Sequence, residues 1–163
     1  MFTANTAEAL ARDRMRAAQL SASRSETGIA SALKYATPFI SCSRKELRLV
    51  ARLAKTRPVR PGDQLLTQGE QGDTMYVLLT GTADVHKAGR RVAQLRPGDV
   101  FGELAALSKG ARNATVTMKT SGEIAIIGRR ELRKLIEGAP SFAHKLLETL
   151  ANRVRELDKK LVT

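Results

Sequence analysis

The segments Phe101-Gly-Glu-Leu-Ala-Ala-Leu107 and Ala111-Arg-Asn-Ala-Thr-Val116 bring a glycine, a carboxylate and an arginine within a dozen residues. Gly102 can adopt backbone angles closed to other residues and leaves room for close approach. The run from Glu103 to Leu107 is typical of one short helical turn, whose first N–H groups lack partners within the helix and suit an anion. Arg112 adds a permanent cation whose planar fork matches a phosphate. The stretch therefore predicts an anion site.

Glu103 predicts a second kind of ligand group in the same site. A carboxylate repels a phosphate, so Glu103 is unsuited to binding the anion itself. It is suited to accepting hydrogen bonds from hydroxyl groups, such as those of a ribose. The plainer alternative for this stretch is the end of a strand, a turn and a surface arginine.

Length and composition indicate one domain with appendages. The chain has 163 residues, 4% aromatic residues and no tryptophan, so its core must be mainly aliphatic. The lone Cys42 excludes an internal disulfide, and His86 and His144 lie far apart without cysteines or carboxylates clustered around them, so we expect no metal site. No apolar run is long enough to span a membrane and the N-terminus lacks a hydrophobic signal core. We therefore expect a cytoplasmic protein without a transmembrane segment.

The formal net charge of +12 raises the question of a nucleic acid or membrane partner. Residues 1–55 carry ten basic and four acidic side chains, residues 56–128 carry nine and seven, and residues 129–163 carry nine and five. The excess positive charge therefore lies outside the segment with the anion site. A solvated basic surface is the simplest interpretation, and docking to an acidic partner or to anionic lipid is the alternative.

The N-terminal third contains one weak and two stronger helical patterns. Residues 1–27 are rich in alanine, arginine and serine, and a helix from Thr6 to Leu20 would have a thin apolar face, so we expect a flexible segment or a frayed helix. Residues 28–55 contain two firmer helical patterns, one stopped by Pro38 and one capped by Ser43.

From residue 56 to residue 128 short apolar segments alternate with glycine turns, a pattern typical of β-strands. Short strands at such regular intervals predict a barrel or jelly roll. The predicted strands are Gln64 to Gln68, Met75 to Leu79, Ala83 to Val85, Val92 to Leu95, Thr115 to Lys119 and Glu123 to Ile127.

Residues 129–160 predict two more helices. Arg130 to Glu137 forms the first, which Gly138 closes, and Pro140 begins the second where its missing N–H costs nothing. Part of the apolar stripe of the last helix steps by three and four like a heptad seam, but we favour a helix laid on the barrel over a coiled coil. The stripe consists of Phe142, Leu146, Leu147, Leu150, Val154, Leu157 and Leu161.

Several motifs together resemble the cyclic nucleotide-binding domain family. The pattern F-G-E-L-A, followed after a gap by R-x-A-T-V, is similar to the phosphate-binding cassette of that family, here residues 101–114. The turns G-E-x-G-D-x-M-Y and R-P-G-D-x-F-G-E-L and the lead-in A-L-K-x-x-x-P-F-x-x-x-S resemble the family in order and spacing. The resemblance covers residues 33–157. It implies an α+β fold, an eight-stranded antiparallel β-roll (a jelly-roll-like barrel) with N-terminal helices and C-terminal hinge and lid helices, which would make residues 28–160 the domain.

The resemblance also implies the roles of the site residues. Glu103 would bind the ribose 2′-hydroxyl, Arg112 would pair with the cyclic phosphate, and backbone N–H groups would complete the cradle. The last helix would close over the base as a lid, with Leu150 or Val154 as apolar contact and Arg153 as a polar one. The full set of expected ligand contacts is Gly102, Glu103, Leu104, Ala105, Arg112, Asn113 and Ala114, with Val85, Ala93 and Leu95 lining the slot for the base.

Asn113 bears on which cyclic nucleotide binds. Members of the family more often carry alanine, serine or threonine at this position, and a threonine there favours cGMP. Asparagine can accept a hydrogen bond and so does not exclude cGMP. We expect cAMP, with cGMP as the alternative ligand, and no cofactor.

The sequence shows no nucleophile paired with a base, no paired carboxylates and no P-loop, so we expect a sensor and not an enzyme. A protein effector would contact the N-terminal or C-terminal helices. One competing hypothesis is a DNA-binding regulator of the catabolite-activator type; the chain ends at Thr163 without a helix-turn-helix pattern, so we expect no sequence-specific DNA binding. Two more hypotheses are the gating domain of a larger channel or enzyme and a degenerate module that has lost its ligand.

Overall fold

The structure is a computed structural model that describes residues 6–10 and 25–162. Residues 6–10 are helical, and Ala9 is buried. The rest of the helix predicted from Thr6 to Leu20, and most of the segment predicted to be flexible over residues 1–27, lie outside the described residues.

Between residues 25 and 54 two helices precede the sheets, and serine caps begin both of them. Helix α1 (Glu26–Leu33) starts at Ser25, and helix α2 (Arg44–Leu53) starts at Ser43 in a reciprocal capping box with Glu46. A 3₁₀ turn, Thr37–Phe39, lies between them.

Eight strands then form two antiparallel four-stranded sheets, which confirms the predicted β-roll. The first sheet has the order β1-β8-β3-β6 and the second has the order β2-β7-β4-β5. The strands are β1 (Lys55–Val59), β2 (Gln64–Leu66), β3 (Thr74–Thr80), β4 (Ala83–Lys87), β5 (Arg90–Leu95), β6 (Val100–Phe101), β7 (Thr115–Met118) and β8 (Gly122–Gly128).

Strands β1 and β6 were missing from the strands predicted by hydrophobic alternation. Strand β1 has the sequence KTRPV, in which a proline and two charges mask the pattern. It pairs only along β8 at the edge of its sheet, where a proline is tolerated. Strand β6 has two residues and pairs with Tyr76 and Val77. A segment that short has no measurable period.

The core consists of two apolar clusters that share strands β3 and β8. Met75 and Val77 of β3 pack under the helices, whereas Tyr76 and Leu78 point between the two sheets. Strand β8 alternates in the same way, with Ala125 and Ile127 toward the helices and Ile124 and Ile126 toward the other sheet. These two strands are therefore covered on both faces.

Two helices follow the sheets, α4 (Arg129–Gly138) and α5 (Pro140–Val162). Gly138 ends α4 from inside the helix, and the cap is Ala139, one residue later than predicted. The ring of Phe142 stacks on Phe39 with 5.1 Å between centroids. The first part of α5 therefore lies on the domain, as expected. Residues 151–162 are all exposed, and of these Arg153 contacts Glu103 of the domain. The expectation of a helix laid on the barrel is therefore wrong for residues 154–162.

Glu46 ties the lead-in helices to the start of α5. Its carboxylate accepts hydrogen bonds from the backbone N–H of Ser43 at 3.0 Å and from Ser141, at 2.9 Å from the N–H and 3.0 Å from the hydroxyl. These hydrogen bonds, that from the Ser43 backbone first, lower the pKa of Glu46.

Candidate functional site

Gly102 forms the turn that starts the short helix α3 (Glu103–Ser108). Its φ of +81° lies in the left-handed region that favours glycine. A Cβ atom at this position would come within 2.8 Å of both the Thr74 carbonyl oxygen and Arg112 Nη1. Glycine is therefore required for both its backbone angle and the space it leaves.

The Gly69–Gly72 loop holds Arg112 in place. The backbone N–H of Arg112 donates to the Glu70 carbonyl at 2.7 Å, and the N–H of Gly69 donates to the Arg112 carbonyl at 2.9 Å. Arg112 Nη1 donates to the Gly102 carbonyl at 3.0 Å. A Cβ atom on Gly72 would lie 2.2 Å from Arg112 Nε, so only a glycine leaves room for the guanidinium. The side chain is fixed before any ligand arrives.

Glu103 is buried and carries its charge opposite an arginine from a distant part of the chain. It is 3% exposed, and its Oε1 accepts a short hydrogen bond from Nη1 of Arg153 on α5. The Arg153 side chain is 46% exposed. A buried carboxylate needs such a partner, because an unpaired charge in the interior is costly. The contact joins α5 directly to the first residue of α3.

A cavity of about 270 Å³ brings together every ligand contact predicted from the sequence. This volume is slightly below the range of roughly 300–1,000 Å³ typical of ligand pockets. The predicted residues that line it are Val85, Ala93, Leu95, Gly102, Glu103, Leu104, Ala105, Arg112, Asn113 and Ala114, with Arg153 from the lid candidates.

The charges around this cavity favour an anion. Arg112, Arg153 and Lys87 supply three cations, and Glu103 is the carboxylate among the lining residues. Arg112 is only 4% exposed, and a charge so shielded from water acts more strongly on a neighbour than a surface charge does. The cavity therefore has an excess of positive charge that attracts an anion, and Glu103 is an acceptor for hydroxyl groups.

Six lining residues were not predicted, and a β-bulge accounts for one of them. In the β4–β5 pair Val85 faces Ala93 but His86 faces Arg91, so Val92 is an extra residue without a partner. A strict alternation would place Val92 and Ala93 on opposite faces, whereas both line the cavity. The unpredicted residues are Leu66, Lys87, Val92, Val100, Phe101 and Val116. Lys87 lies two residues after Val85, and that spacing was a usable signal.

The structure separates the three lid candidates. Arg153 lines this cavity and also a neighbouring cavity of about 280 Å³ between α5, the 3₁₀ turn and the Gly98–Val100 segment, whereas Leu150 lines the neighbouring cavity alone. Val154 lines neither cavity and is exposed.

Arg129, the first residue of α4, was not predicted to support the site. Its guanidinium donates to the carbonyls of Ala106 at 3.0 Å and Ala105 at 2.8 Å, and more weakly to that of Gly72 at 3.5 Å. These carbonyls belong to α3 and to the loop that packs on Arg112. One side chain thus links α4 to α3 and to the loop that packs on Arg112.

Residues 6–10 and 25–162 contain neither a cluster of metal ligands nor a membrane-spanning helix. No group of three or more histidines, cysteines, aspartates or glutamates in these ranges is arranged to hold a metal ion. None of the helices there has the length and apolar character needed to cross a membrane.

Known proteins share both the sequence pattern and this architecture. The family model of the cyclic nucleotide-binding domain matches residues 56–139. The chain is 39% identical over 93 residues to a cAMP-dependent protein kinase regulatory subunit of Yarrowia lipolytica, covering 56% of this chain and 25% of that protein. It is 39% identical over 77 residues to a cGMP-dependent protein kinase of Toxoplasma gondii, covering 47% of this chain and 8% of that protein.

Among solved structures, the catabolite activator protein of Thermus thermophilus superposes with a TM-score of 0.71 at 30% identity. The match covers 77% of this chain and 61% of that one. The chain therefore spans only part of the length of the relatives it matches.

Proposed function

Because the chain belongs to the cyclic nucleotide-binding domain family, we propose that it is a cAMP sensor in which ligand binding repositions α5. The observation that carries the proposal is that two buried side chains of opposite charge, Arg112 and Glu103, line the same cavity.

The cyclic phosphate fits the Arg112 side of the cavity. A guanidinium offers two parallel donors to phosphate oxygens. The first residues of α3, whose N–H groups have no partner within the helix, line the same cavity. The ribose fits the Glu103 side, because its 2′-hydroxyl donates to a carboxylate. The phosphate and the 2′-hydroxyl are neighbouring groups of a cyclic nucleotide, and Arg112 and Glu103 line the same cavity.

The wall for the base favours adenine. Val85, Val92, Ala93 and Leu95 present apolar surface, with the exposed Asn113 amide at the rim. Guanine carries a carbonyl, a ring N–H and an amino group on its edge, and burying these without partners costs free energy. Adenine carries one amino group and therefore has fewer donor groups that need a hydrogen-bond partner. The wall therefore supports cAMP over cGMP.

The Arg153–Glu103 ion pair supports the proposed helix movement. A ligand hydroxyl that donates to Glu103 changes the strength of the interaction between Arg153 and the same carboxylate. Because Arg153 belongs to α5, ligand binding then affects the position of α5. A ligand shifts such an equilibrium only by its difference in affinity for the two positions. A protein effector that contacts α5 would respond to that shift.

The proposal includes neither catalysis nor sequence-specific DNA binding. The residues that line the cavity include no serine, threonine, cysteine or histidine to act as nucleophile or base. An electrophoretic shift that is specific for one DNA sequence and resists salt would contradict the second part.

Calorimetric titration of the protein with cAMP and with cGMP in parallel tests the proposal. We expect binding of both with cAMP the tighter ligand, and a loss of about 2–5 kcal/mol in Arg112→Ala, roughly 30- to 5,000-fold in affinity. Arg60→Ala, at an exposed arginine outside the cavity, is the matched control and should bind normally. Unchanged affinity in Arg112→Ala would refute the site, and tighter cGMP binding would refute the choice of ligand.

A further inference from the structure

The exposed sides of α2 and α4 carry cations that the fold itself does not use. Each of these side chains is exposed, and none of them forms an ion pair or a side-chain hydrogen bond with another described residue. With the first residue of β1, which directly follows α2, they make up a surface that we call the basic face. Its members are Arg44, Lys45, Arg48, Arg52, Lys55, Arg130, Arg133 and Lys134.

The two helices present the basic face on one side of the molecule. Val50 of α2 and Leu132 and Leu135 of α4 are buried in the same apolar cluster, so the exposed sides of both helices lie opposite that cluster. The helices also touch, because a Cβ atom on Gly138 would lie 2.6 Å from Leu49 Cδ2. A ten-residue helix is about 15 Å long and packed helices lie about 8–10 Å apart. The basic face is therefore a patch and not a single row of charges.

The carboxylates of these helices leave most of the positive charge in place. Glu46 is engaged at the start of α5 and Glu131 is half-buried, which leaves Glu137 as the exposed carboxylate of the two helices. Residues 44–55 carry five basic and one acidic side chain, and residues 129–138 carry four and two, so these segments supply half of the formal net charge of +12. Clustered like charges repel one another, and an anionic counterpart relieves that repulsion.

The composition of the basic face fits a membrane surface better than a protein partner. A protein interface has a desolvated centre of aromatic and other apolar side chains, whereas Ile136 is the exposed large apolar side chain that α2 and α4 contribute. A bilayer with anionic headgroups is a broad surface of negative charge that attracts lysine and arginine and needs no such centre. A nucleic-acid groove admits one protruding helix or ribbon, and two helices lying side by side on a core do not offer that shape.

We propose that the basic face docks this protein on an anionic phospholipid surface, where its lysines and arginines contact the phosphate and carboxylate groups of the headgroups. The residues that line the two cavities belong to neither α2 nor α4. Docking therefore leaves the nucleotide site clear of lipid, and this inference does not depend on the ligand of that site. Contact through exposed charges is reversible and weakens as salt screens it.

Co-sedimentation of the full chain with phospholipid vesicles, without nucleotide, tests the docking. One set of vesicles is phosphatidylcholine alone, and the other is an equal mixture of phosphatidylcholine and phosphatidylserine. We expect the protein to bind the mixed vesicles at low salt, to leave them as the salt concentration rises, and to stay in solution with phosphatidylcholine alone. Equal binding to both kinds of vesicle, or binding to neither, would refute the proposal.

Charge reversal on α2 tests whether the basic face is the surface that binds. A lysine or arginine near an anionic bilayer contributes about fivefold in affinity, so Arg48→Glu combined with Arg52→Glu should weaken binding to the mixed vesicles roughly 30-fold or more. Arg60→Glu combined with Lys119→Glu is the matched control, because it makes the same charge change at exposed residues in turns of the β-roll. Equal losses in the two double variants would mean that net charge and not the basic face drives binding.

Charge reversal on α4 tests the contribution of the second helix. Arg133→Glu combined with Lys134→Glu leaves α2 intact and should weaken binding by a similar factor. Circular dichroism verifies that each variant is folded, and because the two pairs lie on different helices, either pair is a test if the other prevents folding. Wild-type binding in a folded variant of either helix would contradict a patch that spans both.

An acidic polypeptide is the competing occupant of the basic face. Poly-L-glutamate is added to the vesicle-bound protein at a concentration of charge equal to that of the phosphatidylserine. We expect most of the protein to remain on the vesicles, because the bilayer presents its charges together on one surface. Release of the protein into solution would show that the basic face prefers an acidic chain, and would overturn the assignment to lipid.

Discussion

At the scale of single residues, the site depends on the lack of a Cβ atom at Gly72 as well as on its charged side chains. Gly72 has no side chain, and the guanidinium of Arg112 occupies the space a Cβ atom would take. Gly110, nearby in the chain, has no atom within 4 Å of such a position. Gly72 therefore makes room for Arg112, whereas Gly110 has no such packing role.

We expect Gly72→Ala to weaken nucleotide binding at least tenfold, since the new methyl group would lie 2.2 Å from Arg112 Nε and push the buried guanidinium away from its present position. Calorimetric titration with cAMP measures the loss. Gly110→Ala is the matched control and should bind like the wild type. Equal affinities for the two variants would show that Arg112 does not need its present position.

Glu103→Gln is expected to weaken binding of cAMP more than binding of its 2′-deoxy analogue. An amide is a weaker acceptor than a carboxylate, and the analogue has no 2′-hydroxyl to lose. The comparison requires the four dissociation constants from two proteins and two ligands. Equal losses for both ligands would remove the ribose role from Glu103.

At the scale of elements, Arg129 joins three segments that are distant in sequence. Its guanidinium contacts carbonyls of α3 and of the Gly72 loop from the first turn of α4. Hydrogen bonds from a charged group are worth about 1.5–3 kcal/mol, so Arg129→Ala should lower the free energy of unfolding by about that amount.

Nucleotide affinity should fall as well, because the cradle loses a support, and Arg129→Lys should not restore it, since an ammonium lacks the planar fork. Denaturant unfolding and calorimetry measure the two effects. Arg130→Ala, at the exposed neighbouring arginine, serves as control. Normal nucleotide affinity in Arg129→Ala would mean that this side chain stabilises the fold without supporting the cradle.

Glu46 gives the contact between α2 and α5 a dependence on pH. Its pKa is lowered from the ordinary 4.5, so its contribution to stability is present above that value and is lost as the pH falls through the folded-state pKa. We expect Glu46→Gln to destabilise the protein by about 1 kcal/mol at neutral pH.

Urea unfolding at neutral pH and at acidic pH should show the difference from wild type shrinking in acid. Glu137→Gln, at an exposed carboxylate of α4, should show no such change. A difference that stays constant with pH would mean that the charge of Glu46 is unimportant.

The strength of each local signal decided which elements could be predicted from the sequence. Strand β3 and helix α5 have long apolar patterns, and both were predicted within a few residues. Strand β1 has its pattern hidden by Pro58, and its pairing partner β8 lies about 65 residues away in the chain. Such pairing depends on the tertiary fold, so a short stretch of sequence does not reveal it.

The site was predicted through its glycines and charges, because these have few alternative reasons to occur together. Val92 and Arg129 were missed for different reasons. The first enters the cavity through a bulge, and the second acts through backbone carbonyls that the sequence does not display.

At the scale of the whole molecule, ligand binding should stabilise the fold by linkage. A ligand present at 100 times its dissociation constant adds about 2.7 kcal/mol, which corresponds to a rise in Tm of roughly 5–10 °C for a domain of this size. Thermal unfolding followed by circular dichroism, with and without cAMP, measures it. Arg112→Ala should show little rise at the same cAMP concentration, and an equal rise would place the binding elsewhere.

Strands β3 and β8 belong to both apolar clusters, and this limits which parts of the chain can change in evolution. Substitutions in these strands disturb both halves of the interior at once, so few are tolerated. The cradle between residues 102 and 114 contributes small or charged buried residues to the rim of the fold and little to its centre. New ligand preferences can therefore arise by mutation of the cradle and the exposed ends, while the scaffold that presents them is inherited unchanged.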